Sequence, residues 1–498
     1  MKKIAVLLII LLLQALPKTY YVAPHGSDTN EGTEDQPFRT IMHALSVTAS
    51  GDMIIVEKGV YTEDILVTVS GITLKGDAVI EGGITLAKNS NNIQIQGFTI
   101  RDAIWGISLE GNTTVYIEDV EVYNCEVGIH LTVDTAYPVS DVTITSCHLH
   151  DNQYVGIDGT PGPVKNTLIS RCICNNNGET EGFGADGIGI EIGDAITIED
   201  CTVYSNKGDG IDLCSRNHTP AVTTVKRCIV YSNAKNGIKL WAGGTVENSL
   251  VYLNGLAAVV FVHDGEYNLI NNTIVKNTVE ERDWAVVIGY EEEGNQDNIV
   301  ATFFNNIIAF NGPESAPVGI YIGEDVTFTE DYNLWYSRED GEIFDGYWYT
   351  REDLKGKWLT TGNGSHSITE DPLFVDFSNN DFHLERGSPT IDAGTCIVTH
   401  DLELTERKVC DMGAYEYNEA VLSPTPDSLI ETPVSETPLP VVSDFPSPAV
   451  SDSPLPVEGS SFSSSHPAKT DQKSTGYVLI ILLVILIIFL AQYLRKRR

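Results

Sequence analysis

Two consecutive stretches decide the fold, CTVYSNKGDGIDL at residues 201–213 and CIVYSNAKNGIKL at residues 228–240. Each stretch begins with a small residue, alternates apolar and polar positions, reaches an Asn, and resumes the alternation after a Gly-Ile pair. Alternation with a period of two predicts short strands, and the Asn and Gly residues between them predict turns. Strands and turns that recur in this fixed order are typical of the coils of a solenoid.

The same pattern runs down the middle of the chain at intervals of about 25 residues. No helical periodicity separates the strands, which excludes a βαβ sheet. The sequence therefore predicts an all-β fold, a right-handed single-stranded parallel β-helix. One Asn in each coil is expected to form a ladder of hydrogen-bonded amides, because Asn also tolerates the left-handed backbone that such turns need. The Asn residues at this position are Asn124, Asn152, Asn177, Asn206, Asn233, Asn254, Asn277 and Asn311.

The cysteines fall into two groups. One group occupies a single repeat position and is expected to stack as buried thiols, and a straight stack does not converge as zinc ligands must. Its members are Cys147, Cys172, Cys201 and Cys228. Cys396 and Cys410 lie outside the repeats in a loop-rich segment, and they are the best candidates for a disulfide pair.

The two ends of the chain predict its cellular location. Residues 1–18 have the basic, apolar and small-residue order of a secretory signal peptide. Residues 476–494 are apolar and long enough to span a bilayer as a single helix, and the basic residues 495–498 follow at once. Residues 418–475 are rich in Pro, Ser and Thr and predict an extended stalk. We therefore expect a single-pass membrane protein at the cell surface, with its N-terminal part outside.

The folded part lies between these segments. It is predicted to comprise an N-terminal cap at 19–70 that includes a short amphipathic helix within 37–50, β-helix repeats at 71–330, and a loop-rich C-terminal cap at 331–417. The formal net charge of −38 argues against nucleic-acid binding and favours cations or neutral partners. A polyanionic substrate would need a cation to mediate its binding.

Charged residues gather at one outward patch of the predicted coils. Ile211 and Leu213 are expected to point inward, so Asp212 points outward, and the same alternation turns Lys239 outward on the next coil. The residue before the Gly of each coil adds Asp186 and Asp209 to this patch. Gly189 occupies the position that matches Asp212 one coil earlier and leaves space there, and Glu191 lies within reach of the edge.

Such a patch suits a hard cation. Stacked carboxylates repel each other, and Ca²⁺ relieves that repulsion because it accepts six to eight oxygen ligands in irregular geometry. The bound ion would bind the carboxylate of a uronic acid and acidify the adjacent C–H, and a neutral lysine amine would take that proton. The alternative is structural, since Asp-Gly is a common turn pair and Asp212 beside Lys239 makes a plain cross-strand ion pair of about 0.2–1 kcal/mol.

The residues GADGIGIEIGDAITIEDCTVYSNKGDGIDL at 184–213 and NGIKL at 236–240 resemble the family 9 polysaccharide lyases, which are pectate lyases built on a right-handed β-helix. The resemblance implies that Asp186, Asp209 and Asp212 hold Ca²⁺, with Glu191 as a further candidate ligand, and that Lys239 is the catalytic base. The chain departs from the family pattern at Gly208, where the family has an aspartate, and at Ile211, where it has a tryptophan.

The sequence thus leaves two main functions open. The first is a calcium-dependent lyase that cleaves a uronic-acid polysaccharide by β-elimination. The second is a non-catalytic surface protein that binds glycans or mediates adhesion. A β-helical hydrolase ranks below both because the Gly-His-Gly and Arg-Ile-Lys signatures of polygalacturonases are missing, and an epimerase is disfavoured because Asp-Pro-His-Asp does not occur.

Overall fold

The computed structural model describes part of the chain, and all of these residues belong to one compact unit. The described ranges are 16–131, 136–179, 184–213, 222–276, 284–289, 298–310, 319–323, 326–337, 344–345 and 364–418. Most of the predicted signal peptide, the stalk beyond residue 418, the predicted membrane segment 476–494 and the basic tail 495–498 lie outside these ranges, as do Asn277 and Asn311. Within the described ranges, no helix has both the length and the apolar character needed to cross a bilayer.

The chain winds through three long parallel sheets, and each coil adds one strand to each sheet. Sheet 1 consists of Thr19–Val22, Met53–Val56, Thr73–Gly76, Ile93–Gln96, Thr113–Glu118, Val139–Thr145, Val164–Ser170, Gly193–Glu199, Thr223–Lys226, Gly244–Glu247, Gly265–Ile270, Ile299–Phe304 and Val326–Asp331. Sheet 2 consists of Val60–Tyr61, Val79–Glu81, Thr99–Arg101, Glu121–Tyr123, His148–His150, Ile173–Asn175, Thr202–Tyr204, Ile229–Tyr231, Leu250–Tyr252, Thr273–Lys276, Ile307–Phe310 and Leu334–Ser337. Sheet 3 consists of Ile65–Val67, Ile84–Leu86, Trp105–Leu109, Val127–His130, Val155–Asp158, Ile188–Ile190, Ile211–Leu213, Ile238–Leu240, Val259–Phe261, Val286–Ile288, Ile320–Ile322 and Phe344–Asp345. The predicted all-β parallel β-helix is confirmed.

Among the described residues, only short elements lie outside the three sheets. The helix Ile41–Val47 begins at Thr40, whose side chain accepts a hydrogen bond from the backbone N–H of His43. Its buried residues Ile41, Ala44 and Leu45 join the core of the first coils, so the predicted amphipathic helix is present but shorter than its predicted segment. Near the C-terminal end, Phe374–Asp376 and Asp381–Leu384 form a small antiparallel sheet around a 3-10 turn at Phe377–Asn379.

The core is a column of aliphatic side chains from alternate strand positions. In Ile211–Leu213 and Ile238–Leu240, both end residues are buried while the middle residue faces outward. Full burial of one such side chain stabilises the fold by about 1.5–3 kcal/mol. The alternation therefore fixes the register, because a slip by one residue would turn every inward aliphatic side chain into water.

An inner Asn ladder runs through the turns between sheets 2 and 3, as the repeat predicts. In every rung before the last, the side-chain Nδ2 donates to the Oδ1 of the next coil, at 3.0 Å from Asn152 to Asn177 and 2.9 Å from Asn177 to Asn206. The same Oδ1 also accepts the backbone N–H of the previous rung. The rungs of the inner Asn ladder are Asn152, Asn177, Asn206, Asn233 and Asn254, and all five are buried.

Two details of the ladder prediction are wrong. Asn124 is not a rung, because the N–H that donates to Asn152 Oδ1 belongs to Cys125. The left-handed residue of each turn is also not the rung itself but the residue before it, such as Asn176 at φ 55° and Ser205 at φ 57°. The rung side chain must point inward to meet its neighbours, so the tight backbone bend falls on the preceding, more exposed residue.

The predicted stack of buried thiols is present, and its four members carry no disulfide. Burial raises the pKa of the Cys201 thiol well above its ordinary value. The stack continues as polar rungs in later coils, because Cys228 N–H donates to Ser249 Oγ and Ser249 N–H donates to Asn272 Oδ1. From there Asn272, Asn306 and Asn333 form a second amide ladder that the sequence analysis did not identify.

The segment 364–418 folds back along the coils, where Cys396 and Cys410 form a disulfide with their Cα atoms 5.3 Å apart. The turn residues of three successive coils bind its backbone. Asn248 Nδ2 donates to the carbonyl of His400 at 2.8 Å, and Asn271 Nδ2 donates to the carbonyl of Asp411 at 3.2 Å. Asn305 Oδ1 accepts the N–H of Thr395 at 2.9 Å. The buried Arg407 also donates to Asn248 Oδ1, at 3.0 Å.

Candidate functional site

The outward row of sheet 3 brings the predicted site residues together. Gly189 pairs with Asp212, and Asp212 pairs with Lys239, on three successive coils. This is the register that the repeat alignment predicts. Because paired positions of neighbouring strands lie about 4.8 Å apart, the Asp212 carboxylate and the Lys239 amine are adjacent.

A second column crosses this row at the residue before each Gly. It contains Asp186, Asp209 and Asn236, and we call it the acidic column. Asp186 Oδ1 accepts the backbone N–H of Asp209 at 2.7 Å. Asp209 Oδ1 in turn accepts the N–H and the Nδ2 of Asn236 at 2.7 and 2.8 Å, and Asn236 Oδ1 accepts the N–H of Ala257 at 3.1 Å. Each rung therefore fixes the start of the next coil.

Lys239 lies over the place where the row and the column meet. Its Nζ is 3.9 Å from Asp209 Oδ2 and 3.8 Å from Asp212 Oδ2. The ring of Trp241 lies 4.2 Å from the same Nζ, on the next outward position. The side chain of Lys239 is 21% exposed, so the amine is partly shielded but reachable from solvent.

The carboxylates are costly to ionise together. Burial, reinforced by the negative charges of Asp212 and Asp209, raises the pKa of Asp186 to about 8. Burial also raises the pKa of Asp212 to about 6, although the positive charge of Lys239 opposes the rise. An uncompensated charge in a poorly solvated site disfavours the ionised form. The cluster is therefore short of positive charge even with Lys239 in place.

In each carboxylate, hydrogen bonds from the protein hold the Oδ1 atom. The Oδ2 atoms lie around the space beside Lys239 and Gly189. The Oδ1 atoms of Asp186, Asp209 and Asp212 accept protein N–H groups, in the last case the indole Nε1 of Trp241 at 2.6 Å. The Oδ2 atoms of Asp209 and Asp212 face Lys239, and Asp186 Oδ2 lies 3.2 Å from the point where Gly189 would carry a Cβ. Gly189 therefore keeps open the space beside these oxygens.

Gly208 has a steric explanation. A Cβ at this position would lie 2.3 Å from Asp186 Oδ1 and 2.8 Å from the carbonyl carbon of Ala185. The backbone here approaches the previous coil closely, and Gly208 N–H donates to the Ala185 carbonyl at 2.7 Å. The structure therefore has no room for an aspartate at Gly208 unless the Asp186 carboxylate and the backbone both move.

Two further residues shape the site and were missed by the sequence analysis. Trp241 contacts both Asp212 and Lys239, and Asn236 orients Asp209. Asn236 precedes Gly237 just as Asp209 precedes Gly210, so the repeat alignment contained the signal for it. Trp241 follows the strand, where the alternation no longer determines the direction of a side chain. Glu191 follows the strand Ile188–Ile190 and is half-buried, and its role as a ligand stays a prediction.

The fold and this cluster define a right-handed parallel β-helix protein with carboxylates and a lysine on one outer face. Residues 20–250 match the family model described as "Pel9A-like, right handed beta helix region". The chain is thus a β-helix protein that resembles the family 9 polysaccharide lyases, as its motifs predict.

Known proteins agree with this class. The uncharacterized protein YwoF of Bacillus subtilis (strain 168) is 25% identical over 464 residues, which cover 74% of this chain and 91% of the relative. Pectate lyase L of Dickeya chrysanthemi is 25% identical over 206 residues, which cover 39% of this chain and 47% of that protein. The matched part therefore spans about half the length of this second relative. The crystal structure of pectate lyase Pel9A superposes with a TM-score of 0.50 and 18% identity over 81% of this chain and 97% of that one, which shows the shared fold.

Proposed function

We propose that this protein is a calcium-dependent polysaccharide lyase that cleaves a uronic-acid glycan by β-elimination at the outer face of sheet 3. The observation that carries the proposal is the charge on the acidic column. Asn236 makes the same coil-to-coil hydrogen bond without a charge, so Asp186 and Asp209 are not needed as acids to support the fold. The resemblance to pectate lyases agrees with this assignment.

The donor set fits a calcium ion. Ca²⁺ prefers oxygen ligands and tolerates incomplete protein coordination, with waters or substrate oxygens filling its shell. Asp186, Asp209 and Asp212 would hold the ion through the oxygens that protein N–H groups do not occupy, and Glu191 is a further candidate ligand. Burial and neighbouring negative charges raise the pKa values of Asp186 and Asp212, and a bound cation would favour their ionised forms.

Each residue of the site has a distinct role in the proposed β-elimination. When bound, calcium would neutralise the aspartates beside Lys239 and polarise the uronic-acid carboxylate of the substrate. Lys239, as the neutral amine, removes the proton on the carbon next to that carboxylate. The electron pair forms a double bond to the neighbouring carbon while the glycosidic C–O bond breaks, and the leaving oxygen takes a proton from solvent. Trp241 holds Asp212 in place through its indole N–H.

The test is a direct assay of the full-length protein. It is incubated with calcium and polygalacturonate, alginate or other uronans, and the ultraviolet absorbance of the unsaturated product is followed. Lys239→Ala is expected to lower the rate by about 10²–10⁴-fold, the usual contribution of a general base. Lys226→Ala serves as the control, because the Lys226 ammonium binds Glu199 on sheet 1 at 2.8 Å, away from the cluster.

Two results would contradict the lyase. One is the lack of unsaturated product across the whole panel of uronans with calcium present. The other is a rate that Lys239→Ala leaves unchanged, which would move the base elsewhere.

A non-catalytic glycan-binding or adhesion protein is the second candidate. The contacts of Lys239 with Asp209 and Asp212 favour it, since both lie within ion-pair distance. The exposed ring of Trp105, stacked on His130 at 5.2 Å on the same sheet, offers a surface of the kind that sugar rings cover. Retention on immobilised uronans without product formation would support this function. In either case we propose a cell-surface location with a membrane anchor at residues 476–494.

A further inference from the structure

A second cluster of polar side chains lies on sheet 2, away from the acidic column. Glu121 pairs with His148, and Tyr123 pairs with His150, across two neighbouring coils. Val122 and Leu149 between them are buried, so the two histidines and the glutamate face outward on the same surface. Nothing in the proposed lyase reaction uses these residues.

The three side chains converge. One nitrogen or oxygen atom from each of Glu121, His148 and His150 lies within 4.8 Å of the other two. His150 Nε2 is 3.4 Å from Glu121 Oε1, and the two imidazole rings are 4.1 Å apart at their centroids. Two ligands bound to a tetrahedral zinc ion lie about 3.3 Å from each other, so one edge of the cluster already has that spacing.

One nitrogen of each imidazole is already held. His148 Nε2 is 2.8 Å from Asn175 Oδ1, and His150 Nδ1 is 2.7 Å from Asp151 Oδ2. Donation from these nitrogens leaves the lone pair of the other ring nitrogen available, which is the arrangement that metal-binding histidines have in proteins. Thr99 Oγ1 also donates to Glu121 Oε2 at 3.1 Å and orients the carboxylate.

The environment of His150 calls for a cation. Its ring has a carboxylate oxygen at each nitrogen, from Asp151 and from Glu121, but a neutral imidazole carries a single N–H. A metal ion on the Nε2 side of this ring would accept its lone pair and bind the Glu121 carboxylate together, and the centroid of the His148 ring lies 4.1 Å away.

We propose that Glu121, His148 and His150 form a binding site for a divalent transition metal of the zinc class. Two imidazoles and one carboxylate suit zinc, nickel, copper or iron better than calcium, which prefers oxygen ligands alone. The ion joins two adjacent coils of sheet 2 and keeps a coordination position open to solvent, because the Glu121 side chain is 43% exposed. This site is separate from the proposed lyase site in both its location and its ligands.

The test measures zinc bound to the full-length protein. The chain is stripped with a chelator, supplied with excess calcium to occupy the acidic column, titrated with zinc chloride, desalted and analysed for metal content. We expect one equivalent of zinc per chain and a visible absorption spectrum typical of nitrogen and oxygen ligands when cobalt replaces zinc. His148→Gln and His150→Gln should each abolish retention, and Asp151→Asn should weaken zinc binding by about 10–100-fold through the loss of its support.

His383→Gln is the matched control. Like His150, His383 has its ring between two carboxylates, with Asp381 Oδ1 at 2.6 Å and Glu403 Oε1 at 3.2 Å. Its ring contacts Tyr415, as the ring of His150 contacts Tyr123. Within the described ranges, three such side chains converge only at Glu121, His148 and His150, so His383 is not part of a three-ligand set. We expect this variant to retain zinc as the wild type does.

Three outcomes would overturn the proposal. They are no retained zinc, retention that survives both His148→Gln and His150→Gln, and retention lost equally in His383→Gln. Thermal unfolding of the metal-free variants, expected at the wild-type temperature, separates lost ligands from a damaged fold. Because the lyase assay with calcium should be unaffected in His148→Gln, failure of this site is distinguishable from failure of the proposed lyase.

Discussion

The inner Asn ladder and the acidic column solve the same structural problem with different side chains. In both, a side-chain oxygen accepts a backbone N–H of a neighbouring coil. Asn206 Oδ1 accepts the N–H of Asn177 on the previous coil, whereas Asp186 Oδ1 accepts the N–H of Asp209 on the next coil. Every side chain of the inner ladder is an amide. Its Oδ1 accepts hydrogen bonds from one neighbouring coil, and its Nδ2 donates hydrogen bonds to nearby acceptors. The acidic column replaces two of its three amides with carboxylates, which accept but do not donate.

The two columns differ in charge, and this difference indicates different roles for them. An amide ladder is neutral, so stacking its members raises no electrostatic cost, and burial only strengthens its hydrogen bonds. In the acidic column, burial together with the negative charges of the stacked carboxylates raises the pKa of Asp186 to about 8. The coil-to-coil hydrogen bonds do not require these carboxylates, since Asn236 makes the same bond, and cation binding is the role that we propose for them.

The largest expected loss of stability comes from placing a carboxylate in the inner Asn ladder, as the acidic column has. Asn206→Asp removes the donor to Asn233 Oδ1 and to the Cys174 carbonyl and buries a charge among acceptors. We expect the free energy of unfolding to fall by about 3–5 kcal/mol at pH 8, as for an uncompensated buried charge. Denaturant titration should show part of this loss recovered at pH 5, where the new carboxyl group takes up a proton.

Asn206→Ala provides the control for that variant. It removes these donated hydrogen bonds and also the two that Asn206 Oδ1 accepts from Asn177, without adding a charge. It should therefore cost about 1–3 kcal/mol with no dependence on pH. A larger loss in Asn206→Ala than in Asn206→Asp at pH 8 would show that charge is not what distinguishes the two columns.

The converse change makes the acidic column resemble the ladder. Because the pKa of Asp186 is raised in the folded state, the folded protein binds this proton more tightly, and wild-type stability falls as pH rises from about 4 to about 8. Without calcium, Asp186→Asn should therefore leave stability unchanged below about pH 4 and raise it above pH 8, by on the order of 5 kcal/mol. Added calcium should reverse the order by stabilising the wild type alone.

The control for this change is Asp77→Asn. The Asp77 side chain is 83% exposed and pairs only with the exposed Lys58, so its removal should leave the pH profile unaltered. An Asp186→Asn profile parallel to that of the wild type would mean that the acidic column carries no electrostatic strain.

A smaller effect is expected where the acidic column excludes a side chain. Gly208→Ala places a methyl group against Asp186 Oδ1 and the Ala185 backbone and should cost about 1–3 kcal/mol in unfolding free energy. Gly189→Ala is the comparison, because its Cβ would meet only the movable Asp186 Oδ2, at 3.2 Å. Equal stability of the two variants would remove the steric explanation for Gly208.

The smallest effect is expected at Trp241. Trp241→Phe keeps an aromatic ring beside Lys239 but loses the N–H bond to Asp212, which should raise the pKa of that carboxyl group further above its ordinary value. A lost hydrogen bond of about 1 kcal/mol corresponds to a several-fold weaker calcium affinity, measurable by calorimetry near neutral pH. Trp105→Phe, on coils far from Asp212, should leave the affinity unchanged.

Sequence alone predicted the parts of this structure that repeat. The solenoid, the amide ladder and the pairing of Asp212 with Lys239 follow from alternation, because one register buries every aliphatic side chain. It did not predict features that depend on how closely two backbones approach. The crowding at Gly208 and the ring of Trp241 over Lys239 are of this kind, since neither depends on the period of the pattern.

The shift of one residue at Asn124 has a related cause. Asn124 occupies the left-handed position of its turn, at φ 55°, and Cys125 takes the place of the rung. Asn suits both the bend and the rung, so the residue type alone cannot tell the two positions apart. Ser249 connects the cysteine stack, which ends at Cys228, to the second amide ladder, which begins at Asn272. The sequence did not predict this connection, because a small polar residue such as Ser is common at many positions of a coil.

The returning segment 364–418 changes how the coils of the second half respond to force. In a solenoid whose coils contact only their neighbours, coils can detach one at a time from an end. Here three coils are hydrogen-bonded to the same returning segment, through Asn248, Asn271 and Asn305. Pulling on the chain would therefore release these coils in a single step at high force, while the coils before Asn248 peel away individually.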